Sequence, residues 1–502
     1  MLCTGRAGSR NSKMKQKQRS LKFNAAMNML LTASTFVFPL ITFPYVTRVL
    51  LPEGTGKVSF GNSVIAYFSM FASLGIPTYG IKACAKVRDD RKLLSKTVWE
   101  IFSINGIMTA AAYLLLFMAI LIVPEFRERA LLLLICSGSM LLTLMGAEWL
   151  YKAQEAYSYI TIRSLIIRII SVALIFLFIR KPEDYLLYAA ITVFSNAGYG
   201  ILNFLNLRKR LEPGMPKGLN LRQHLRSVLV FFAMAAAINI YANLDTVMLG
   251  FMKGDAEVGY YDVAVKIKVI LVNVVTAIGA VILPRASYYA ENKLLKELWQ
   301  IAERAAAFVV FLAVPCIVAF TILADKCIIF LSGKAYLQAV TPMRIIMPTL
   351  LFIGLSNILG IQILVPLNRE KEVLYSEIVG AGVDVFLNAL LIPKYGAAGA
   401  AFGTVMAELA VLLYQCMVLR QDAWNVMKRA GFLRIMLATA GAAAVLLLVR
   451  SVLAIGLILE LCVLFGAYFL TYGLVLYLLR DSNVREIITL FQNKLRSGRG
   501  RK

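Results

Sequence analysis

Long apolar runs recur along the whole 502-residue chain, and that recurrence decides its solvent. A helix needs about 20 apolar residues to cross the hydrocarbon core of a bilayer. Runs of that length lie at 24–47, 58–76, 98–123, 130–150, 158–179, 186–206, 227–249, 258–283, 303–324, 341–365, 373–392, 397–418, 431–450 and 455–479. The stretches 58–76 and 397–418 are short and rich in Gly, Ser and Ala. Hydrophobic residues make up 60% of the chain and charged ones 16%, whereas soluble domains hold about half and about a quarter. No alternating pattern of about ten residues recurs, which argues against a membrane barrel. The expected fold is an all-α integral membrane protein with 14 transmembrane helices.

Charge sets the expected orientation. The N-terminus is basic (Arg6, Arg10, Lys13, Lys15, Lys17, Arg19, Lys22), and an apolar run from about Phe23 to Val46 follows. That run is too long for the apolar part of a signal peptide, so it reads as an uncleaved first span. With the N-terminus in the cytoplasm, cytoplasmic tails and loops hold 37 Lys and Arg, the opposite side 11, and the spans 5. Basic loops stay on the cytoplasmic side. The expected layout is a cytoplasmic tail at 1–23, a six-helix lobe at 24–210 and a cytoplasmic linker at 211–226. A second six-helix lobe at 227–420, two further helices at 421–480 and a cytoplasmic tail at 481–502 follow. Loops on both sides are too short for a soluble domain, so function is sought within the membrane.

Several function classes lack the residues they need. The net charge of +25 sits in loops between apolar runs, which suits a lipid surface rather than nucleic acid. The seven cysteines form no CxxC pair, and several lie in apolar runs, where Cys is a small apolar side chain. His224 is the single histidine and lies in the basic linker. No GxxxxGK[ST] loop occurs, so no ATP site is expected.

The two halves echo each other. VLLPEGTGKVSFGNSVI follows the first span, and MLGFMKGDAEVGYYDVAVKI follows the seventh. Lys92-Leu93-Leu94 with Lys96 matches Lys293-Leu294-Leu295-Lys296 at an offset near 200. Ala153-Gln154-Glu155 matches Asn368-Arg369-Glu370 at an offset near 215. Six spans is an even number, so the two copies run parallel, an arrangement that places a pathway between lobes.

Ionisable residues inside spans face protein or a water-filled cavity, because lipid penalises them by about 2.5–3.5 kcal/mol. Arg163, Arg168, Lys266, Lys268 and Arg344 are so placed, and Arg48 stands at the outer end of the first span. Thr161, Ser164, Arg168 and Ser171 share one helix face and are expected to line a cavity. Arg163 is nearer the interface and is expected to snorkel. Asp262 lies four residues before Lys266, so an intrahelical pair competes with a cavity role. Lys268 points elsewhere on its helix, and Arg344 is expected at the interface. Among the acidic residues Glu148, Asp245, Glu377, Asp384, Glu408 and Glu460, Asp384 and Glu408 are nearest mid-membrane. They are candidates to bind a coupling cation, H+ or Na+, or to neutralise Arg168 and Lys266. Asp245 lies opposite Arg48 in the repeat register, and the two are a candidate outer gate between lobes. Pro39, Pro44, Gly75, Pro77, Pro348 and Pro366 mark expected bends.

ITFPYVTRVLLPEGTGKVSFGNSVIAYF and LGIPTYGIKACAKVRDD, with NLDTVMLG and EVGYYDVAVKI later, resemble the Wzx-type polysaccharide flippases. Those belong to the multidrug/oligosaccharidyl-lipid/polysaccharide exporter superfamily. The resemblance spans the first twelve helices. It implies a V-shaped pair of six-helix lobes and transfer of an undecaprenyl-diphosphate-linked oligosaccharide to the outer leaflet of a bacterial cytoplasmic membrane. It also implies a polysaccharide polymerase and glycosyltransferases as functional partners. Arg168, Lys266 and Arg48, with Ser164 and Ser171, are then the candidate contacts to the diphosphate and glycan. The rival readings are a multidrug/cation antiporter or a lipid II flippase of the same superfamily. A polysaccharide polymerase or ligase would need a larger outer loop, so no enzyme activity is expected.

Overall fold

The computed structural model describes residues 21–481 apart from 213, 215, 217, 429, 430 and 454. Most of the two expected basic tails, and Cys3, lie outside the described residues. The first half comprises α1 (Leu21–Ser73), α2 (Ile76–Lys86), α3 (Arg91–Ile122), α4 (Pro124–Glu128), α5 (Ala130–Gly146), α6 (Glu148–Ala153), α7 (Tyr157–Phe178), α8 (Tyr185–Ala197) and α9 (Tyr199–Arg210). The second half begins with α10 (Arg222–Met252), α11 (Asp255–Glu291) and α12 (Leu295–Ile322). Next come α13 (Ala324–Ser332), α14 (Val340–Ile346), α15 (Thr349–Asn357), α16 (Glu370–Tyr395) and α17 (Ala397–Leu419). The chain closes with α18 (Gln421–Lys428), α19 (Phe432–Val452) and α20 (Leu457–Leu478). No strand occurs among the described residues.

Ten helical stretches are long and apolar enough to cross a membrane, and twelve if each of two bent pairs is one span. Large apolar side chains such as Ile122 and Leu470, each 76% exposed, point away from the bundle. That is the surface lipid would cover. Buried positions facing inward are small or branched, as at Ala302, Ala305, Ala306, Val309 and Ala313 of α12.

Bends fall partly where prolines predict them. Pro348 sits at the 44° break between Lys334–Ile346 and Thr349–Leu364. Gly75, at φ 71°, starts α2 with Pro77 in its first turn. In α1, however, helical geometry is lost at Leu51 (φ 60°, ψ 175°) rather than at Pro39 or Pro44. Pro52 follows and starts a new helical turn, a position that suits its fixed φ and missing N–H. A 41° break between Ala197 and Tyr199 has no proline at all.

The repeat is visible in backbone detail. Gly254 (φ 88°, ψ −177°) precedes α11 with the conformation that Leu51 has before Pro52, 203 residues earlier. That register equates Gly56 with Gly259 and Pro52 with Asp255. A side chain on Gly56 would strike the carbonyl oxygen of Asp255, and one on Gly259 would strike that of Pro52. The two contacts are images of each other under the 203-residue register, as a local two-fold axis requires. The α3 and α12 helices start 204 residues apart, and α7 and α16 start 213 apart.

Candidate functional site

Four helices of the second half converge on Asp245. Its Oδ1 accepts a 2.6 Å hydrogen bond from Asn388 Nδ2 of α16. Its Oδ2 accepts from Thr404 Oγ1 of α17 at 2.9 Å and from the Tyr261 hydroxyl of α11. Tyr261 and Thr404 hydroxyls also meet at 2.9 Å. Asp384, one turn before Asn388, lies against Asp245 and is 1% exposed. Neither of its carboxylate oxygens has a hydrogen-bond partner, nor does Asn388 Oδ1. Room for this group comes from Gly403, where any side chain would run into Asn388.

Two adjacent buried carboxylates repel unless a proton or cation lies between them. The free acceptors here are all oxygen, the donor set preferred by hard cations. Tyr67 of α1 and Lys268 of α11 lie within electrostatic reach of the pair. Tyr67 ties this cluster to the other half of the chain. Asp384 and Asp245 were expected as ion or gate residues, whereas Tyr261, Asn388 and Thr404 were not. Their spacing held a signal: 384 and 388 share a face of one helix, as do 404 and 408 of the next.

Lys266 is held by Asp262 at 2.6 Å, the intrahelical pair expected from their spacing. Its Nζ also stands 4.3 Å from the ring centre of Phe43 on α1. The side chain is 41% exposed, although it is over two turns into α11. It therefore lies where α11 meets α1, between the two halves.

The stripe on α7 meets α1 at two of its four residues. Thr161 Oγ1 donates to Met27 O, and Arg168 donates to Ser34 Oγ at 2.5 Å, both on α1. Ser171 is 2% exposed and donates to Ile167 O in its own helix. Ser164 and Arg168 are half-buried. The stripe thus packs largely against α1, because small Ser and Thr residues let the helices approach closely. Arg163 does not snorkel. It is 3% exposed, pairs with Glu148 at 3.3 Å and stacks 4.3 Å from the Tyr199 ring centre.

Arg48 and Asp245 do not meet. Arg48 donates to the carbonyls of Ile329 and Phe330, at 3.3 and 2.5 Å, where cationic groups stabilise the end of α13. The 203-residue register places Phe251, not Asp245, opposite Arg48. The same end of the bundle is closed by a 2.7 Å contact between the Thr55 and Tyr336 hydroxyls. At the other end, the start of α10 docks on the first half: His224 contacts Tyr79 at 2.6 Å and Glu100 at 2.8 Å. Glu408 lies near Asp384 but faces a separate cavity with Glu377. No cluster of three or more metal-ligating His, Cys, Asp or Glu side chains occurs among the described residues.

Comparison with known proteins gives a consistent picture. A putative O-antigen transporter of Escherichia coli K12 is 25% identical over 422 residues, covering 82% of this chain and 99% of that relative. A probable flippase of Haloferax volcanii, AglR, is 27% identical over 251 residues, covering 49% of this chain and 52% of its own. Among solved structures, the lipid II flippase MurJ in an inward closed conformation superposes with a TM-score of 0.73 at 13% identity. The match covers 91% of this chain and 99% of MurJ. An inward-facing multidrug resistance transporter of the MATE family, in the MOP superfamily, gives 0.61 at 11% identity over 81% of this chain and 99% of its own. These two likenesses establish a shared fold. The model of the polysaccharide biosynthesis protein family matches residues 21–289, more than half of the chain, and the protein belongs to that family.

Proposed function

We propose that the protein is a flippase that carries a polyprenyl-diphosphate-linked oligosaccharide from the cytoplasmic to the outer leaflet of a bacterial cell membrane. The observation that carries this reading is Lys266: a cation deep in α11, accessible, and set against α1 of the other half. A basic group at such a seam suits an anionic diphosphate, which accepts charge-assisted hydrogen bonds. Arg168, half-buried on α7, is the second candidate, while its polyprenyl tail stays in lipid. Glycosyltransferases and a polysaccharide polymerase are the partners that would make and use such a cargo.

The topology proposed is fourteen spans with both termini cytoplasmic. The 53 residues of α1 extend about 80 Å, far more than one bilayer crossing, so Leu51 divides two spans. The 31 residues of α10 supply another. With the two bent pairs, the total is fourteen. The 37-to-11 division of basic residues supports the orientation. The α1–α9 and α10–α17 segments would rock as two lobes, with α19 and α20 outside the repeat.

The Asp245–Asp384 cluster is the proposed site for the coupling cation, Na+ or H+. Tyr67 offers a route by which cation release could alter the seam. An inside-negative potential also favours outward movement of an anion by about 2.3 kcal/mol per charge per 100 mV. The same acidic cluster favours a second reading, a cation-driven drug antiporter. Reconstitution in vesicles with a fluorescent lipid-linked oligosaccharide separates the two. The expected result is cation-dependent flipping that K266A and R168A reduce at least several-fold. Flipping unaffected by either substitution, or export of organic cations without flipping, would overturn the flippase reading.

A further inference from the structure

A second acidic pocket lies along the seam that holds the first. On α16, Glu377, Asp384 and Asn388 are spaced by seven and four residues and share one face. On α17, Thr404, Glu408 and Gln415 are spaced by four and seven. Gly380 and Val411 bring the helices close: a Cβ on Gly380 would meet Val411 Cγ2 at 2.5 Å. Beside that contact a cavity of about 180 Å³ is lined by Ser356, Asn357, Gly360, Glu377, Glu408 and Gln415. Glu408 is within electrostatic reach of both Glu377 and Asp384, so it stands between the two levels.

Independent features mark this cavity as a place for a ligand. Gln415 is 1% exposed; its Nε2 donates to Ser376 Oγ at 3.2 Å, and its Oε1 has no partner. A buried amide oxygen without a donor is costly. The wall is also irregular: Ile358–Leu364 forms a π-helical stretch, a feature that recurs at functional sites. Gly360 lies in that stretch, where a Cβ would come within 2.9 Å of Gln415 Nε2.

We propose that Glu377 and Glu408, with the oxygens of Gln415, Asn357 and Ser356, form a second site for a hard monovalent cation, Na+ or H+. Two carboxylates and several neutral oxygens match that class and no softer one. The site lies toward the end where α16 begins, so in the orientation proposed above it faces the cytoplasm. A cation leaving the Asp245–Asp384 level would pass Glu408 and then Glu377 on its way inward. That order of passage rests on the coupling-site reading; the binding site itself does not.

The test is cation counting on the purified full-length protein, using radioactive sodium for Na+ and a pH dye for protons taken up between acidic and neutral pH. E377Q/E408Q should lose one bound cation per chain, seen either as sodium or as protons, and retain the other. D245N/D384N should show the converse loss. Size-exclusion profile and thermal midpoint confirm that each variant is folded, and the single substitutions E377Q and E408Q replace a double variant that is not. Sodium and proton counts unchanged in E377Q/E408Q and both single variants would overturn the second site. Counts changed by E377Q/E408Q but not by D245N/D384N would instead sink the coupling-site reading and leave this one standing.

Discussion

His224 Nε2 lies 2.8 Å from Glu100 Oε2, and the two residues are 5% and 1% exposed. This is the contact by which α10 begins against α3 of the other half. Glu100 also accepts from the Asn220 amide at 2.8 Å and from Gln223 Nε2 at 2.8 Å. His224 Nδ1 meets the Tyr79 hydroxyl. A carboxylate with three such contacts organises the whole entry of the second half.

Removing that carboxylate should release the start of α10. E100A strips the acceptor from its donors, and a buried donor left unsatisfied costs about 1–3 kcal/mol. Hydrogen exchange should rise at 220–232 while α3 stays protected. E100Q keeps one carbonyl acceptor and should show the smaller rise. Equal protection in E100A and the parent would show that the contact holds nothing closed.

The symmetric glycine contact makes a paired prediction. G56A would drive a methyl group into the Asp255 carbonyl, and G259A one into that of Pro52. Neither backbone can yield as a flexible side chain would, so each should disfavour this closed end by about 1–3 kcal/mol. Hydrogen exchange over 52–58 and 255–261 should rise in both variants. A rise in one variant only would contradict the two-fold relation.

The sequence made the large features of this fold legible because lipid imposes a simple rule on helices. Every apolar run found by length corresponds to helix in the structure, and the echo between the halves reappears in the Leu51 and Gly254 backbones. The site was legible only in part. Asp245, Asp384 and Lys266 stood out because charge in a span is expensive. Which groups they meet depends on packing between distant segments. Asn388, Thr404 and Tyr261 are ordinary in spans, so nothing local marked them. Arg163 misled because depth alone does not show that Glu148 and Tyr199 wait beside it. Likewise a repeat register a few residues out set Arg48 opposite the wrong partner.

Thr404 offers a mild probe of the acidic cluster. Its hydroxyl donates to Asp245 and meets Tyr261, at 2.9 Å each. T404V keeps the shape and removes the hydroxyl, at a cost of about 1.5–3 kcal/mol for a hydrogen bond to a charged group. Cation affinity, read from the cation dependence of flipping, should weaken about tenfold or more by the same arithmetic. The maximum rate at saturating cation should change far less. A lower maximum with unchanged cation dependence would place Thr404 in the frame rather than in the site.

The Glu148–Arg163 pair should behave as a structural pair, unlike Lys266. Arg163 is 3% exposed, and Glu148 also holds Lys152 at 2.9 Å. E148Q leaves Arg163 buried without its carboxylate, which costs about 3–5 kcal/mol, whereas R163M leaves Glu148 paired with Lys152 and costs less. The thermal midpoint in detergent should fall sharply in E148Q and less in R163M. Joining the two changes removes both charges, and replacing a buried pair by neutral groups is often close to neutral. The double variant E148Q/R163M should therefore recover most of the loss and still flip its cargo. Recovered stability without recovered flipping would move Arg163 from the frame to the transport path.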